Sequence, residues 1–309
     1  MLIAHYYPGN RNSDMVEFMR YIEGHKFLHN QCTKDVDLIY CGSVSQLSKA
    51  MTAKIIYKKP LICWVWDLPY CWREWVRNDK EMLENVHRIA DIKRKVLLLK
   101  ECDKVISASK YTQRVLKEKF NIDSEQIYFY VHPEYTNSNS SSIKKEYAIQ
   151  VGRLALNKRV DHSIRATAAV DQKFICIGTG MTEELKKLAQ DISADVEFYS
   201  KVPRSKLAEL LKQAEVLLSP SLHEGWGMTP VEAIYCGTPI LLSDLEVFKE
   251  VYGESALYHK KDDAEDMKDK LSRLMKDKAL QRKIVDDCLP LVSEFTIPKF
   301  VERWERAIR

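Results

Sequence analysis

The chain has 309 residues, 45% of them hydrophobic and 30% charged, with 10 glycines and 10 prolines, a composition that excludes disordered and collagen-like classes. A formal net charge of +4 is too small to argue for nucleic-acid binding, and no apolar run is long enough to read as a membrane span. The length suits two domains better than one core.

The opening MLIAHYYPGN goes straight into a short apolar run, without the basic start or long apolar region of a signal peptide, so a cytoplasmic protein is expected. The eight cysteines are scattered, several inside apolar runs such as FICIG, and read as reduced core thiols. His25, His29 and Cys32 come nearest to a metal cluster, as an i, i+4 histidine pair on a helical face. Nothing completes the set, and no metal site is assigned.

Short apolar runs (LIAHYY, DLIYCG, PLICWVWD, KVISAS, IYFYV) alternate with helical stretches through residue 135. The polar, Ser/Asn-rich TNSNSSSIKKE, residues 136–146, reads as a linker. The alternation then resumes in a second domain, residues 147–292: YAIQVGR, DHSIRATAAV, KFICIGTG, TEELKKLAQ, VEFYSKV, SKLAELLKQA, VLLSPS, TPVEAIYC and PILLS. A last helix, residues 293–309, is free to pack back on the first domain. Strand and helix alternating twice over predict an α/β protein of two Rossmann-like, doubly wound domains facing a central cleft. Ligands in such sheets collect at the carboxyl ends of the strands. Residues 1–146 hold 23 Lys and Arg against 18 Asp and Glu, the remainder 25 against 26. The basic first half would suit an anionic partner or peripheral contact with a membrane surface, or be a plain solvated face.

Two loops carry chemistry. In SPSLHEGWGMTPVEAIYCGTP, Glu224 and Glu232 stand around a Gly-Trp-Gly turn ahead of a short helix, with Thr229 placed as N-cap and Pro230 as the first helical residue. Thr-x-x-Glu is also a capping box, which would account for Glu232 alone. It leaves Glu224 and the two glycines to be explained by a ligand lying against bare backbone at a positive helix terminus. The second loop, VGRLALNKRVDHS, offers Gly152, Arg153 and Lys158; a forked guanidinium and an ammonium suit a diphosphate, although a solvated basic turn would look alike.

Together these residues resemble a known family. Glu224-Gly-Trp-Gly-Met-Thr-Pro-Val-Glu232 is similar to the Glu, seven residues, Glu signature of retaining glycosyltransferases of family four, and GRLALNK resembles that family's Gly-Arg-Leu and Lys element. The resemblance runs from about Tyr147 to Tyr258 and implies a GT-B architecture. It implies that Arg153 and Lys158 hold the diphosphate of a nucleotide sugar beside Gly152. Glu224 would bind a hydroxyl of the transferred sugar, the Gly225, Trp226, Gly227, Met228 and Thr229 backbone would lie against sugar and phosphate, and Glu232 would grip the ribose. Such enzymes need no cofactor or metal beyond the nucleotide-sugar donor. SDLEVFKEVYGESALY is similar to a pattern of mannosyl-type members but has Glu246 for a proline, so the donor leans to GDP-mannose over a UDP-sugar. The acceptor is a carbohydrate, lipid-linked or other hydroxyl.

The first domain departs from that pattern. Only Gly9 remains of an expected glycine pair, with Arg11 nearby, and Asp67 stands where the family carries His. Asp67 would orient the acceptor hydroxyl or serve as a turn aspartate. Trp72 and Trp75, followed by arginines, would stack on an acceptor, meet a lipid interface or join the core; His5 and Ser109 are further candidates in similar loops. Two other readings stay open. A non-catalytic nucleotide-sugar-binding subunit on the same fold fits the short first domain. A dinucleotide-dependent oxidoreductase fits IGTGMTEE poorly, because Glu183 stands where the third glycine belongs.

Overall fold

The computed structural model describes residues 1–6, 25–68, 94–136 and 147–308. Gly9, Arg11, Trp72, Trp75 and nearly all of the expected linker lie outside the described residues.

Most of the apolar runs form short parallel strands, and the central ones are buried on both faces and so show no polar alternation. One sheet contains β1 (Leu2–Tyr6), β2 (Lys26–His29), β3 (Leu38–Cys41), β4 (Leu61–Val65), β5 (Lys104–Ser107) and β6 (Glu125–Gln126), ordered β2-β1-β3-β4-β5-β6. The other contains β7 (Tyr147–Val151), β8 (Phe174–Ile177), β9 (Val196–Tyr199), β10 (Ala214–Ser219), β11 (Ile240–Ser243) and β12 (Leu257–His259), ordered β12-β11-β10-β7-β8-β9. Every strand pair is parallel. The described helices are α1 (Leu47–Tyr57), α2 (Lys110–Phe120), α3 (Pro133–Thr136), α4 (Val160–Ala169), α5 (Thr182–Asp191) and α6 (Arg204–Gln213). They continue with α7 (Met228–Tyr235), α8 (Glu246–Tyr252), α9 (Ala264–Lys276), α10 (Lys278–Val292) and α11 (Ile297–Ile308). The chain divides into two compact units, one ending at Tyr130 and taking back the chain from Ile297, the other spanning Val131–Thr296.

Local chemistry sets the helix limits. Ser109 accepts the Thr112 N–H at 3.0 Å and caps α2, and Asn121 ends that helix in a left-handed conformation. Ser109 is thus a capping residue. Asp277 accepts the Leu280 N–H at 2.8 Å and starts α10 immediately after α9 has ended. In α11, Phe300, Trp304 and Ala307 recur at helical spacing and are buried. Trp304 meets Trp64 and Tyr40 edge-on at ring distances of 5.1 and 5.3 Å, and the Lys104 ammonium donates to the Ala307 carbonyl at 2.6 Å. Trp64 is therefore a core residue of the first unit.

Two expectations change here. KFLH is an edge strand, so His25 and His29 do not share a helical face, and no group of three metal-binding side chains comes together among the described residues. IYFYV is not a strand beyond β6; its Phe129 and Tyr130 pack on Trp64 and Phe300 at 4.5 and 5.1 Å.

His5, at the end of β1, is 1% exposed and stacks on Tyr40 at 5.1 Å. Burial, aided by His29, pushes its pKa from the ordinary 6.5 down to about 3. The fold therefore prefers this imidazole neutral, which fits a core residue rather than a proton carrier at neutral pH. The stabilisation is complete above pH 6.5 and is withdrawn as pH falls from there towards 3. Urea unfolding at pH 5 should show about 2 kcal/mol less stability than at pH 7, and His5→Phe should flatten that difference.

Candidate functional site

In the second sheet the order reverses between β7 and β10, with β8 and β9 on one side and β11 and β12 on the other. Loops leaving two strands at such a switch point form the natural ligand seat of a doubly wound sheet. Here they are residues 152–159 and 220–227.

The first loop begins at Gly152, which has φ +144° and nothing within 4 Å of where a Cβ would stand. It runs along the end of β8, with Leu154 N–H donating to Thr179 O and Met181 N–H to Leu154 O, both at 2.8 Å. A Cβ on Gly178 would overlap the Gly152 carbonyl, and one on Gly180 would overlap that of Leu154. The Gly-x-Gly of IGTG is thus a packing device for two crossing backbones, which removes the observation behind a dinucleotide fingerprint. Arg153 is exposed and makes no ion pair among the described residues. Arg159 turns away to Asp262, 2.6 Å, and Asp161, 3.1 Å.

Lys158 is held from behind. Gln150, buried on β7, donates from Nε2 to the Lys158 carbonyl at 2.8 Å and accepts from Ser163 Oγ at 2.6 Å. Leu222 N–H donates to Asn157 O at 2.7 Å and joins the two loops. Across that seam the Lys158 ammonium meets Glu224 Oε1 at 2.5 Å, with the side chains 19% and 16% exposed. Ser221, buried, donates to the same oxygen at 2.8 Å. Glu224 Oε2 has no hydrogen-bond partner among the described residues. The site therefore presents a fixed carboxylate, a cation on it, and one carboxylate oxygen open to a ligand.

The helix beyond this loop starts earlier than expected. Gly227, not Thr229, is the N-cap of α7, with φ +94° and no side-chain capping bond. Thr229 lies inside the helix, so the capping box does not form and does not account for Glu232. The terminal N–H groups of α7 are left to the loop, where a helix carries about half a positive charge. Gly227 has two structural causes: its positive φ, and Phe248, whose ring would stand 2.5 Å from an added Cβ. Trp226 is a core residue, 3% exposed and edge-on to Phe295 at 5.0 Å, so its side chain does not line a ligand seat. Only the backbone of residues 225–229 remains for that purpose. Glu232, in the second turn of α7, is half-buried and is among the groups that help burial raise the Tyr252 phenol well above its ordinary range. Asp67 lies in the first unit, two residues beyond β4, and is half-buried.

The structure thus brings together Lys158 and Glu224, 66 positions apart, and adds Ser221, Gln150 and Ser163, which sequence reasoning missed. The only sequence signal for them was a small polar residue near each charged one.

Residues 132–287, half of the chain, match the model of the family described as glycosyl transferases group 1, and the chain belongs to that family. It is 28% identical over 176 residues to the O-antigen chain mannosyltransferase RfbU of Salmonella typhimurium, covering 53% of this chain and 49% of that protein. Over 109 residues it is 32% identical to the GDP-mannose-dependent alpha-(1-6)-phosphatidylinositol dimannoside mannosyltransferase of Mycobacterium tuberculosis, covering 33% of this chain and 28% of that one. The chain spans about half the length of the first of these relatives and less of the second. In fold it is similar to Anabaena HepE, solved in complex with UDP-glucose, with a TM-score of 0.81 at 14% identity over 100% of this chain and 99% of that one. With two parallel six-stranded sheets, this is the GT-B fold.

Proposed function

We propose that the chain is a retaining, metal-independent glycosyltransferase that moves a hexose from a nucleoside-diphosphate sugar to a hydroxyl of a glycan, lipid-linked or other acceptor. The observation that carries this reading is the Lys158–Glu224 pair beside the uncapped start of α7, at the switch point of a doubly wound sheet. Lys158, Arg153 and the α7 N–H groups face the negative charge that grows on the diphosphate as the C1–oxygen bond breaks. The diphosphate leaves with the electron pair, and the acceptor oxygen bonds to C1 on the same face. The acceptor proton passes to the departing phosphate oxygen, so no metal or separate base is required. Glu224 takes a sugar hydroxyl on its open oxygen, Glu232 the ribose hydroxyls, and Gly152 and residues 225–229 lend backbone. Gly9, Asp67, Arg11, Trp72 and Trp75 are assigned to the diphosphate and acceptor side.

GDP-mannose is the favoured donor: the two relatives named above are mannosyltransferases, one of them GDP-mannose-dependent. The UDP-glucose in the HepE complex belongs to a protein alike in fold alone and does not shift that preference. Thermal-shift measurements across GDP-mannose, UDP-glucose, UDP-N-acetylglucosamine, free GDP and UDP, and NAD test the reading. A true donor at about 100-fold over its Kd should raise Tm by several degrees. A shift with NAD alone would sink it. Donor binding without hydrolysis or transfer would leave a binding subunit in place of an enzyme.

A further inference from the structure

Resting on the proposed donor site, a second role for Glu224 follows from its pairing with Lys158. We infer that Glu224 competes with the diphosphate for the Lys158 ammonium, so that the site discriminates against the spent nucleoside diphosphate and in favour of the intact nucleotide sugar.

The geometry sets up the competition. The ammonium and Glu224 Oε1 are 2.5 Å apart and mostly shielded from water, so the carboxylate already neutralises the cation that the diphosphate needs. The Lys158 backbone is pinned by Gln150 Nε2 on its carbonyl and by its own N–H on Ala155 O at 2.9 Å, which confines any adjustment to the side chain. Ser221 Oγ keeps one hydrogen bond on Glu224 Oε1 when the ammonium turns away. A partly buried carboxylate that loses its cation without replacement is costly. A nucleotide sugar supplies the replacement, because a sugar hydroxyl donates to the carboxylate while Lys158 goes to the phosphates. The nucleoside diphosphate left after transfer brings no such hydroxyl. Glu224 then draws Lys158 back, weakening the hold on the product and favouring its release.

The sign of the prediction is opposite to that of a residue that merely helps bind the donor. Isothermal titration calorimetry with GDP and GDP-mannose, or UDP and UDP-glucose if those are the ligands that bind, should show Glu224→Gln binding the free diphosphate about tenfold more tightly than the wild type. Its affinity for the nucleotide sugar should stay level or fall. Glu224→Ala should shift the diphosphate in the same direction, which guards against an artefact of the amide. In a Lys158→Ala background the Glu224→Gln effect should shrink to near nothing. An equal gain in that background would mean simple repulsion between carboxylate and phosphate and would overturn competition for Lys158. A loss of diphosphate affinity in both Glu224 variants, or no change, also overturns it while leaving the donor site standing. No binding of any nucleoside diphosphate or nucleotide sugar to the wild type overturns the inference and the donor site together.

Discussion

Lys158→Ala should lower turnover of the nucleotide sugar, measured as donor hydrolysis or as transfer, by about 100-fold to 1000-fold, while the protein stays folded with a lowered urea midpoint. The size follows from where the charge is. In the starting donor the diphosphate is already anionic, but the breaking C1–oxygen bond adds further charge to its outer oxygen. A fixed cation in a partly dry site is worth more to that developing charge than to the ground state. Removing one such donor from an electrostatic seat costs on this order in other enzymes. The effect should appear mainly in kcat, because Arg153 and the α7 terminus still offer a resting diphosphate some purchase. Stability should fall as well, because the pair is mostly shielded from water, 19% and 16% exposed, although the Lys158 backbone keeps its bond from Gln150. The variant leaves Glu224 with only Ser221 as a partner, so a loss of about 1–3 kcal/mol is expected there. Turnover within threefold of the wild type would show that Lys158 does not face the reacting phosphate.

The two sheets were legible because most of the apolar runs are strands, the central ones buried on both faces, with helical stretches following them at short range. Elements that escaped are short or at edges. KFLH lies at a sheet edge, half-covered, and offers neither alternation nor a continuous apolar run; LYH of β12 has only three residues. IYFYV misled for the converse reason: its aromatics fit a strand, but their partners are Trp64 and Phe300, far away in sequence, and rings rather than a ladder hold them.

The site divides along the same line between local and non-local causes. That residues 152–159 and 220–227 are loops at strand ends could be read from the pattern of strand, turn residues and helix. Thr229 as N-cap could be read too and was wrong, because Thr-Pro-Val-Glu is locally consistent while the true start depends on Gly227 and on Phe248, 21 positions later. The ion pair between Lys158 and Glu224, and the serines and glutamine behind it, depend on a seam between two loops that no local pattern encodes. Glycines make the same point. Gly-Trp-Gly looked like backbone bared for a ligand, yet Gly227 answers to Phe248, whereas Gly152 has open space on its Cβ side.

Gly178→Ala should destabilise the second unit by roughly 3 kcal/mol or more, a large value for adding one methyl group. The added Cβ would fall on the Gly152 carbonyl oxygen and crowd the Leu154 side chain, and neither backbone can yield freely. Gly178 N–H is bonded to Tyr199 O at 2.8 Å, and Gly152 N–H to Ile177 O at 2.9 Å, so relief requires parting β7 from β8 at their carboxyl ends. Gly152→Ala is the informative contrast. Its methyl group would enter open space and meet only the strain of φ +144°, on the order of 1 kcal/mol. Urea unfolding of the two variants separates close approach from backbone conformation as the reason for each glycine. Because the displaced strand end leads directly into the Lys158 loop, Gly178→Ala should also weaken nucleoside-diphosphate binding under conditions where it remains folded. A Gly178→Ala variant within about 0.5 kcal/mol of the wild type, the range of an ordinary surface change, would mean that the two backbones do not cross as closely as described.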